Sequence, residues 1–271
     1  MREAEVLQAS HAADLALIRD AAAEAGRIAL RYFRKSPDVW MKQGRSPVSE
    51  ADIAVDRFLR AELMAARPDY GWLSEETTDS PERLSSRRTF VVDPIDGTRA
   101  FIEGRGTWCV SIAVVEGGVS VAGVLDCPAH EELFWARAGG GAFLDGEPIS
   151  VYSGERAPLV GGAKALIDAV PQPLRARLVA TPYVPSLAYR IALLARGSLD
   201  ATFVKENSHD WDLAAADLIL REAGGMILNA SGRPPAYAGA EVRHGALVAG
   251  SGALLAELAR VIAEPGARGQ R

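Results

Sequence analysis

Apolar residues at Leu15, Ile18, Ala22, Ala25 and Ala29, with Asp14, Arg19, Glu24 and Arg27 between them, recur every three or four positions across 13–34. That spacing lines one face of a helix, so an amphipathic helix ending before Pro37 is expected. A second helix is expected from Ser49-Glu50-Ala51-Asp52, which has the order of a capping box, through Ile53, Asp56, Phe58, Leu59 and Leu63 to Pro68. Between them Trp40-Met41-Lys42 reads as short and extended, and Gln43-Gly44-Arg45-Ser46-Pro47 as a loop. Residues 77–87 are polar and charged and are expected to be exposed. From residue 88 the period changes. Short apolar, β-branched runs at 88–92, 108–115, 119–125, 132–136 and 142–144 alternate with turn residues, and Glu116-Gly117-Gly118 marks a hairpin. An antiparallel sheet is the economical reading.

Past residue 151 the rhythm becomes α/β. Helical stretches at 186–196 and 213–223, closed by Gly197 and by Gly224-Gly225, alternate with strand-like runs at 200–204, 226–228 and 246–249. A last helix is expected over 254–263, followed by a loose tail. The chain is therefore divided into an N-terminal α+β half, 1–150, and a C-terminal α/β half, 151–271. With 271 residues and 48% apolar content it has ample core for one large or two closely packed domains.

Charge and cysteine usage narrow the function. A formal net charge of -5 without a basic cluster argues against a nucleic-acid polymer as partner. The first residues lack the apolar core of a signal peptide, and no run of about 18 apolar residues is present, so neither export nor a membrane span is expected. Cys109 and Cys127 sit in strand-like runs and are expected to be buried free thiols of a cytoplasmic protein. His11, His130, His209 and His244 are scattered without zinc-site spacing, and the phosphate-loop, G-x-S-x-G and dinucleotide glycine patterns are absent.

The chemistry concentrates at Val91-Val92-Asp93-Pro94-Ile95-Asp96-Gly97-Thr98, an apolar strand expected to end near Asp93 in a turn, with a short helix after Thr98. Two carboxylates this close repel by about 4 kcal/mol at 4 Å in an effective dielectric of 20, so they call for a proton or a cation. Amides at a helix start can take an anion while the acids take a cation, a combination suited to a metal-bridged phosphate. Taken alone, the same residues also fit an ordinary capped turn. Asp52 alone fits a helix cap, Glu75-Glu76 a solvated acidic pair, and Asp212 a first-turn acid favoured by the helix dipole.

Three separated pieces nevertheless match one pattern. Leu73-Ser74-Glu75-Glu76, then Asp93-Pro94-Ile95-Asp96-Gly97-Thr98 with Phe101, then Trp211-Asp212-Leu213-Ala214-Ala215 with Glu222-Ala223-Gly224-Gly225 resemble the inositol monophosphatase superfamily of Mg²⁺-dependent, lithium-sensitive phosphatases. The similarity runs over about 42–225. It implies a layered α-β-α-β-α sandwich of the inositol monophosphatase and fructose-1,6-bisphosphatase type, a homodimer, and two or three Mg²⁺ per site. It further implies that Glu75, Asp93, Asp96, Asp212 and the Ile95 carbonyl hold the metals, with Thr98 and Asp52 activating water. Gly97 and Thr98 would offer amides to the phosphate, and Lys42 matches a lysine near the site.

Within the superfamily, the 42–52 stretch is similar to the K-x-x-x-S-P-V-T-x-A-D pattern of 3'(2'),5'-bisphosphate nucleotidases, and Leu73-Ser74-Glu75-Glu76 to their L-S-E-E. Arg190 stands where that branch carries lysine, so Arg190 or Lys205 is expected to meet a second phosphate. Leu187-Ala188 departs from the branch's usual serines. The expected reaction is hydrolysis of adenosine 3',5'-bisphosphate to AMP. Inositol monophosphatase is the alternative, then histidinol-phosphate or sugar phosphatase, and from another class a non-catalytic anion-binding protein.

Overall fold

A computed structural model describes residues 2–35, 37–42 and 46–263. The elements, in chain order, begin with α1 (Arg2–Leu30), β1 (Val39–Lys42), β2 (Ser46–Ser49), α2 (Glu50–Ala66) and β3 (Gly71–Ser74). Next come β4 (Arg88–Asp96), α3 (Thr98–Ile102), β5 (Cys109–Glu116), β6 (Val119–Cys127), β7 (Glu132–Arg137), β8 (Ala142–Leu144) and β9 (Glu147–Ile149). Then follow β10 (Leu159–Gly161), α4 (Lys164–Asp168), α5 (Leu174–Arg177), β11 (Val179–Ala180), α6 (Leu187–Ala195) and β12 (Ala201–Val204). The last are β13 (Ser208–His209), α7 (Asp210–Glu222), β14 (Met226–Asn229), β15 (Arg243–His244), β16 (Leu247–Gly250) and α8 (Gly252–Ala263).

Strands β3 to β9 form one seven-stranded sheet in chain order, antiparallel except for the parallel β3–β4 pair. A second sheet has the order β11-β10-β12-β16-β14. Helices α1 and α2 cover one face of the large sheet, α6 and α7 fill the space between the sheets, and α8 backs the second sheet. The result is the layered α-β-α-β-α sandwich. Across β3 to β6 both faces of the large sheet are buried, which is why these strands read as continuous apolar runs instead of alternating with polar residues. Phe90, Val92, Ile112 and Val114 pack toward α1 and α2, while Val91, Ala113 and Val115 pack toward the middle layer. Among the described residues, no helix is long and apolar enough to cross a membrane. Both cysteines are free and buried.

Three sequence expectations shift. The first helix spans Arg2–Leu30, starting and ending earlier than 13–34, because its helix-forming residues continue to the N-terminal side and the chain turns at 31–34. Strand β4 runs past Asp93 to Asp96 through an irregularity at Pro94. The polar 77–87 stretch contains a 3₁₀ turn, Pro81–Ser85, whose Arg83 is only 4% exposed, since its guanidinium reaches inward to backbone carbonyls.

Helix α7 lies close against β6 because Gly123 has no side chain. A Cβ there would stand 3.1–3.2 Å from the Ala215 backbone. Gly123→Ala is therefore expected to cost about 1–3 kcal/mol, read as a lowered urea midpoint. An unchanged midpoint would show that α7 and β6 can part freely.

Candidate active site

Side chains three apart on a regular strand point to opposite faces, which would separate Asp93 from Asp96. The β4–β5 register removes that problem: Asp93 faces Ser111 and Asp96 faces Cys109, so three steps on β4 match two on β5. The extra residue is a β-bulge, and Pro94, which has no N–H to place in a ladder, lies inside it. Both carboxylates consequently face the middle layer. There α7 brings Asp212 in its first turn, and carboxylate oxygens of Asp93, Asp96 and Asp212 lie within 4.8 Å of one another. Glu75 follows β3, its amide donating to Val92 O at 3.2 Å, and its charge acts on Asp52, Asp93 and Asp212.

Local hydrogen bonds fix each acid. Asp93 Oδ1 accepts the Ile95 amide at 3.0 Å. Asp212 Oδ2 accepts the His209 amide at 2.7 Å, closing a capping box at the start of α7. Asp96 is held by the start of α6: its Oδ2 accepts the Ser186 hydroxyl at 2.5 Å and the Ala188 amide at 2.6 Å, and its Oδ1 lies 3.3 Å from the Leu187 amide. Gly97 has φ 94, and a Cβ on it would meet Ser186 Cβ at 2.9 Å, so only glycine fits between the acids and α3.

On the opposite side Asp52 serves two purposes. Its Oδ2 accepts the Ser49 amide and hydroxyl at 2.8 and 2.6 Å, completing the capping box of α2. Its Oδ1 lies 3.1 Å from Thr98 Oγ1, which is also 3.0 Å from the Ile95 carbonyl. Burial raises the Asp52 pKa to about 6, against the opposing pull of the Ser49 hydrogen bonds. Keeping it ionised at pH 7 costs on the order of 3 kcal/mol relative to the unfolded chain.

Desolvation, then the charges of Glu75, Asp96 and Asp212, push the Asp93 carboxyl well above the usual carboxylate range. Desolvation and the Asp96 charge do the same to Asp212. Asp96 is also raised by burial, less so because Ser186, Ala188 and Leu187 hydrogen-bond to it. Buried, mutually repelling oxygen donors of this kind fit a hard divalent cation.

A cavity of about 200 Å³ is lined by Leu187, whose amide lies 3.3 Å from Asp96 Oδ1, and by Arg190, Lys205 and Glu206. It shares Ala163, Tyr183 and Lys205 with a larger one of about 620 Å³ beside α4. Arg190 is 6% exposed, donates from Nη1 to Val184 O at 2.8 Å, stacks over Tyr183 at 5.4 Å, and leaves its Nε without an acceptor. Lys205 is exposed at the cavity rim.

Of the residues expected at a site, the fold gathers Asp93, Asp96 and Asp212, sets Glu75 within electrostatic reach, and joins Asp52 to Thr98 and the Ile95 carbonyl. Lys42 ends β1, and its side chain lies outside the described residues. Sequence reasoning missed Ser186 as a partner of Asp96, although a serine directly before a helical run is an N-cap signal.

A family model described as "Inositol monophosphatase family" matches residues 12–265. An inositol-1-monophosphatase of Rhizobium meliloti is 34% identical over 89% of this chain and 93% of its own. A 3'(2'),5'-bisphosphate nucleotidase CysQ of Aggregatibacter actinomycetemcomitans is 30% identical over 80% and 84% respectively. A Streptomyces griseus protein named glucose-1-phosphate thymidylyltransferase is 37% identical over 79% and 85%. Among solved structures, the extragenic suppressor protein suhB of Bartonella henselae superposes with a TM-score of 0.80 at 28% identity, covering 93% of this chain and 99% of that one.

The repulsion has a measurable consequence. In EDTA at pH 7.5, Asp93→Asn is expected to melt about 2–4 °C above the parent, because one of the crowded charges is gone. Raised folded-state pKa values mean that protonation favours folding. This contribution is full below the ordinary carboxylate pKa near 4 and is lost as pH rises through the raised values. The gap between variant and parent should therefore close on acidification. A variant melting below the parent at pH 7.5 would contradict the repulsion.

Proposed function

This chain belongs to the inositol monophosphatase family of phosphoric monoester hydrolases, and we propose that it is an Mg²⁺-dependent 3'(2'),5'-bisphosphate nucleotidase acting on adenosine 3',5'-bisphosphate. The observation that carries the hydrolytic reading is the cluster of buried Asp93 and Asp96 with half-buried Asp212. With Glu75 and the Ile95 carbonyl, these residues would hold two or three Mg²⁺. Four carboxylates and a phosphate dianion carry six negative charges, which three such ions balance. When bound, the cations supply positive charge to the phosphoryl oxygens and make water more acidic.

The protein's own groups do the rest. Asp52, ionised above its pKa of about 6, accepts the Thr98 hydroxyl proton across 3.1 Å. In the same movement Thr98 Oγ1 takes a proton from the attacking water, whose oxygen bonds to phosphorus as the phosphorus–ester oxygen bond breaks, and the departing alkoxide takes up a proton from solvent. The amides of Gly97 and Thr98, at the start of α3, are assigned to the phosphate, and Lys42 joins them through its place in the sequence pattern.

Substrate choice rests on Arg190 and Lys205. A buried guanidinium lining a cavity that reaches Asp96 through Leu187 favours a leaving group that carries its own anion, as a second phosphate does. Inositol 1-phosphate, whose alcohol is neutral, is the alternative, supported by the name of the Rhizobium relative. The Streptomyces name denotes nucleotidyl transfer and belongs to that protein. We further assign a homodimer in the cytoplasm.

Phosphate release from a panel of monoesters, with Mg²⁺ and with EDTA, tests the reading. Adenosine 3',5'-bisphosphate should exceed inositol 1-phosphate in kcat/KM; the reverse by tenfold, about 1.4 kcal/mol, would overturn the substrate assignment. No release from any substrate would favour an anion-binding protein. Asp93→Asn and Asp212→Asn should each abolish turnover while the fold persists without metal. Activity should fall as the pH drops below about 6, where Asp52 takes up its proton. Full activity well below that pH would remove Asp52 from the relay.

A further inference from the structure

A set of buried polar contacts beside the acid cluster has no part in the chemistry above. Asp210 is the first residue of α7, two positions before Asp212, and its carboxylate is fully buried. Its Oδ2 accepts the Ala238 amide at 2.6 Å, and its Oδ1 lies 2.7 Å from His244 Nε2. Its own amide donates to Val242 O at 3.0 Å. The strap 236–244 thus returns to the head of α7 at three points. Pairing of β13 with β15 sets His209 opposite Arg243, and the His209 amide is the donor to Asp212 Oδ2.

The strap is gripped from the other side too. Arg83 donates from Nη1 to Ala238 O at 2.7 Å and from Nη2 to Gly239 O at 2.9 Å. Asp79 holds the same guanidinium in a two-pronged pair at 2.6 and 2.8 Å. Between the two grips Ala238 has φ 57, a left-handed conformation that a residue with a Cβ adopts only when its surroundings enforce it.

This arrangement addresses a mechanical problem. Asp93 and Asp96 share one strand, and Glu75 follows the strand bonded to it, so their spacing is set by one sheet. Asp212 comes from a different layer, and the other acids repel it. Arg83 lies eight positions after Glu75 in the sequence, and the strap it grips ends on α7. The connection therefore ties the sheet-borne acids to the helix-borne one. Orienting partners of this type tune cation affinity without touching the ion.

We propose that Asp210 is a positioning residue for Asp212, acting through the 236–244 strap that His244 and Arg83 anchor, and that this staple sets the site's affinity for divalent cations. The inference rests on the reading of Asp212 as a cation ligand.

Calorimetric titration of the full-length protein with Mg²⁺ alone, without substrate, tests it. His244→Ala and Arg83→Met should each weaken Mg²⁺ binding about tenfold and raise the Mg²⁺ concentration for half-maximal activity by the same factor. At saturating Mg²⁺ their kcat and KM should stay within about twofold of the parent, a split that general loosening would not produce. His244→Gln, which retains a donor, should recover most of the affinity. If neither His244→Ala nor Arg83→Met folds, His244→Gln decides: Mg²⁺ affinity about two- to fivefold below the parent with kcat kept supports the staple, and affinity within about twofold of the parent, or loss of kcat, overturns it. Mg²⁺ affinity within about twofold of the parent in folded His244→Ala and Arg83→Met would overturn the staple alone. A parent protein that takes up no Mg²⁺ would remove the cation reading, and the staple with it.

Discussion

Confining like charges in a largely buried place is the constraint on which the rest of the structure depends. Asp93, Asp96 and Asp212 stand within 4.8 Å of one another, and each pair at such range repels by a few kcal/mol. A cluster of this kind survives only on elements that do not yield. Strand β4 is bonded on both sides, by β3 and β5, and α7 is buried along most of its length. A helix apolar on nearly every face belongs in the interior, and its burial between two sheets offsets the cost of the charges at its end.

The middle layer also lowers that cost directly. Asp212 sits in the first turn of α7 and Asp96 accepts donors from the start of α6, so the positive ends of two helix dipoles converge on the acids. Part of the negative charge is thus met by backbone alone. The burial of Asp93, by contrast, leaves it with one amide partner, from Ile95, and with acidic neighbours. The cluster is stabilised unevenly, and Asp93 is its least compensated member.

How much of this was legible in the sequence follows the range of each interaction. The strand before Asp93, the glycine at 97 and the caps at Ser49 and Ser186 are local, and period and turn chemistry report them. The bulge at Pro94 was not legible, because an extra residue is defined only against the partner strand. Arg83 reads as one more charge in a polar stretch, and the carbonyls it grips, of Ala238 and Gly239, lie about 155 residues away. Asp210 and His244 are likewise ordinary residues until the chain folds back. Recognition of Glu75 and Asp212 came from their flanking patterns, since neither acid is distinctive alone.

Helix α6 carries two connections at once. Its first turn is tied to Asp96 through Ser186 and Ala188, and one step further along it presents Arg190 to the neighbouring cavity. Any ligand that shifts α6 through Arg190 therefore acts on the oxygens of Asp96, and whatever occupies the acids acts back on Arg190. Thermodynamic reciprocity makes the two effects equal in free energy. Binding at the Arg190 cavity and binding at the acids are then not separate properties of this fold, and an affinity measured at one has meaning only at a stated occupancy of the other.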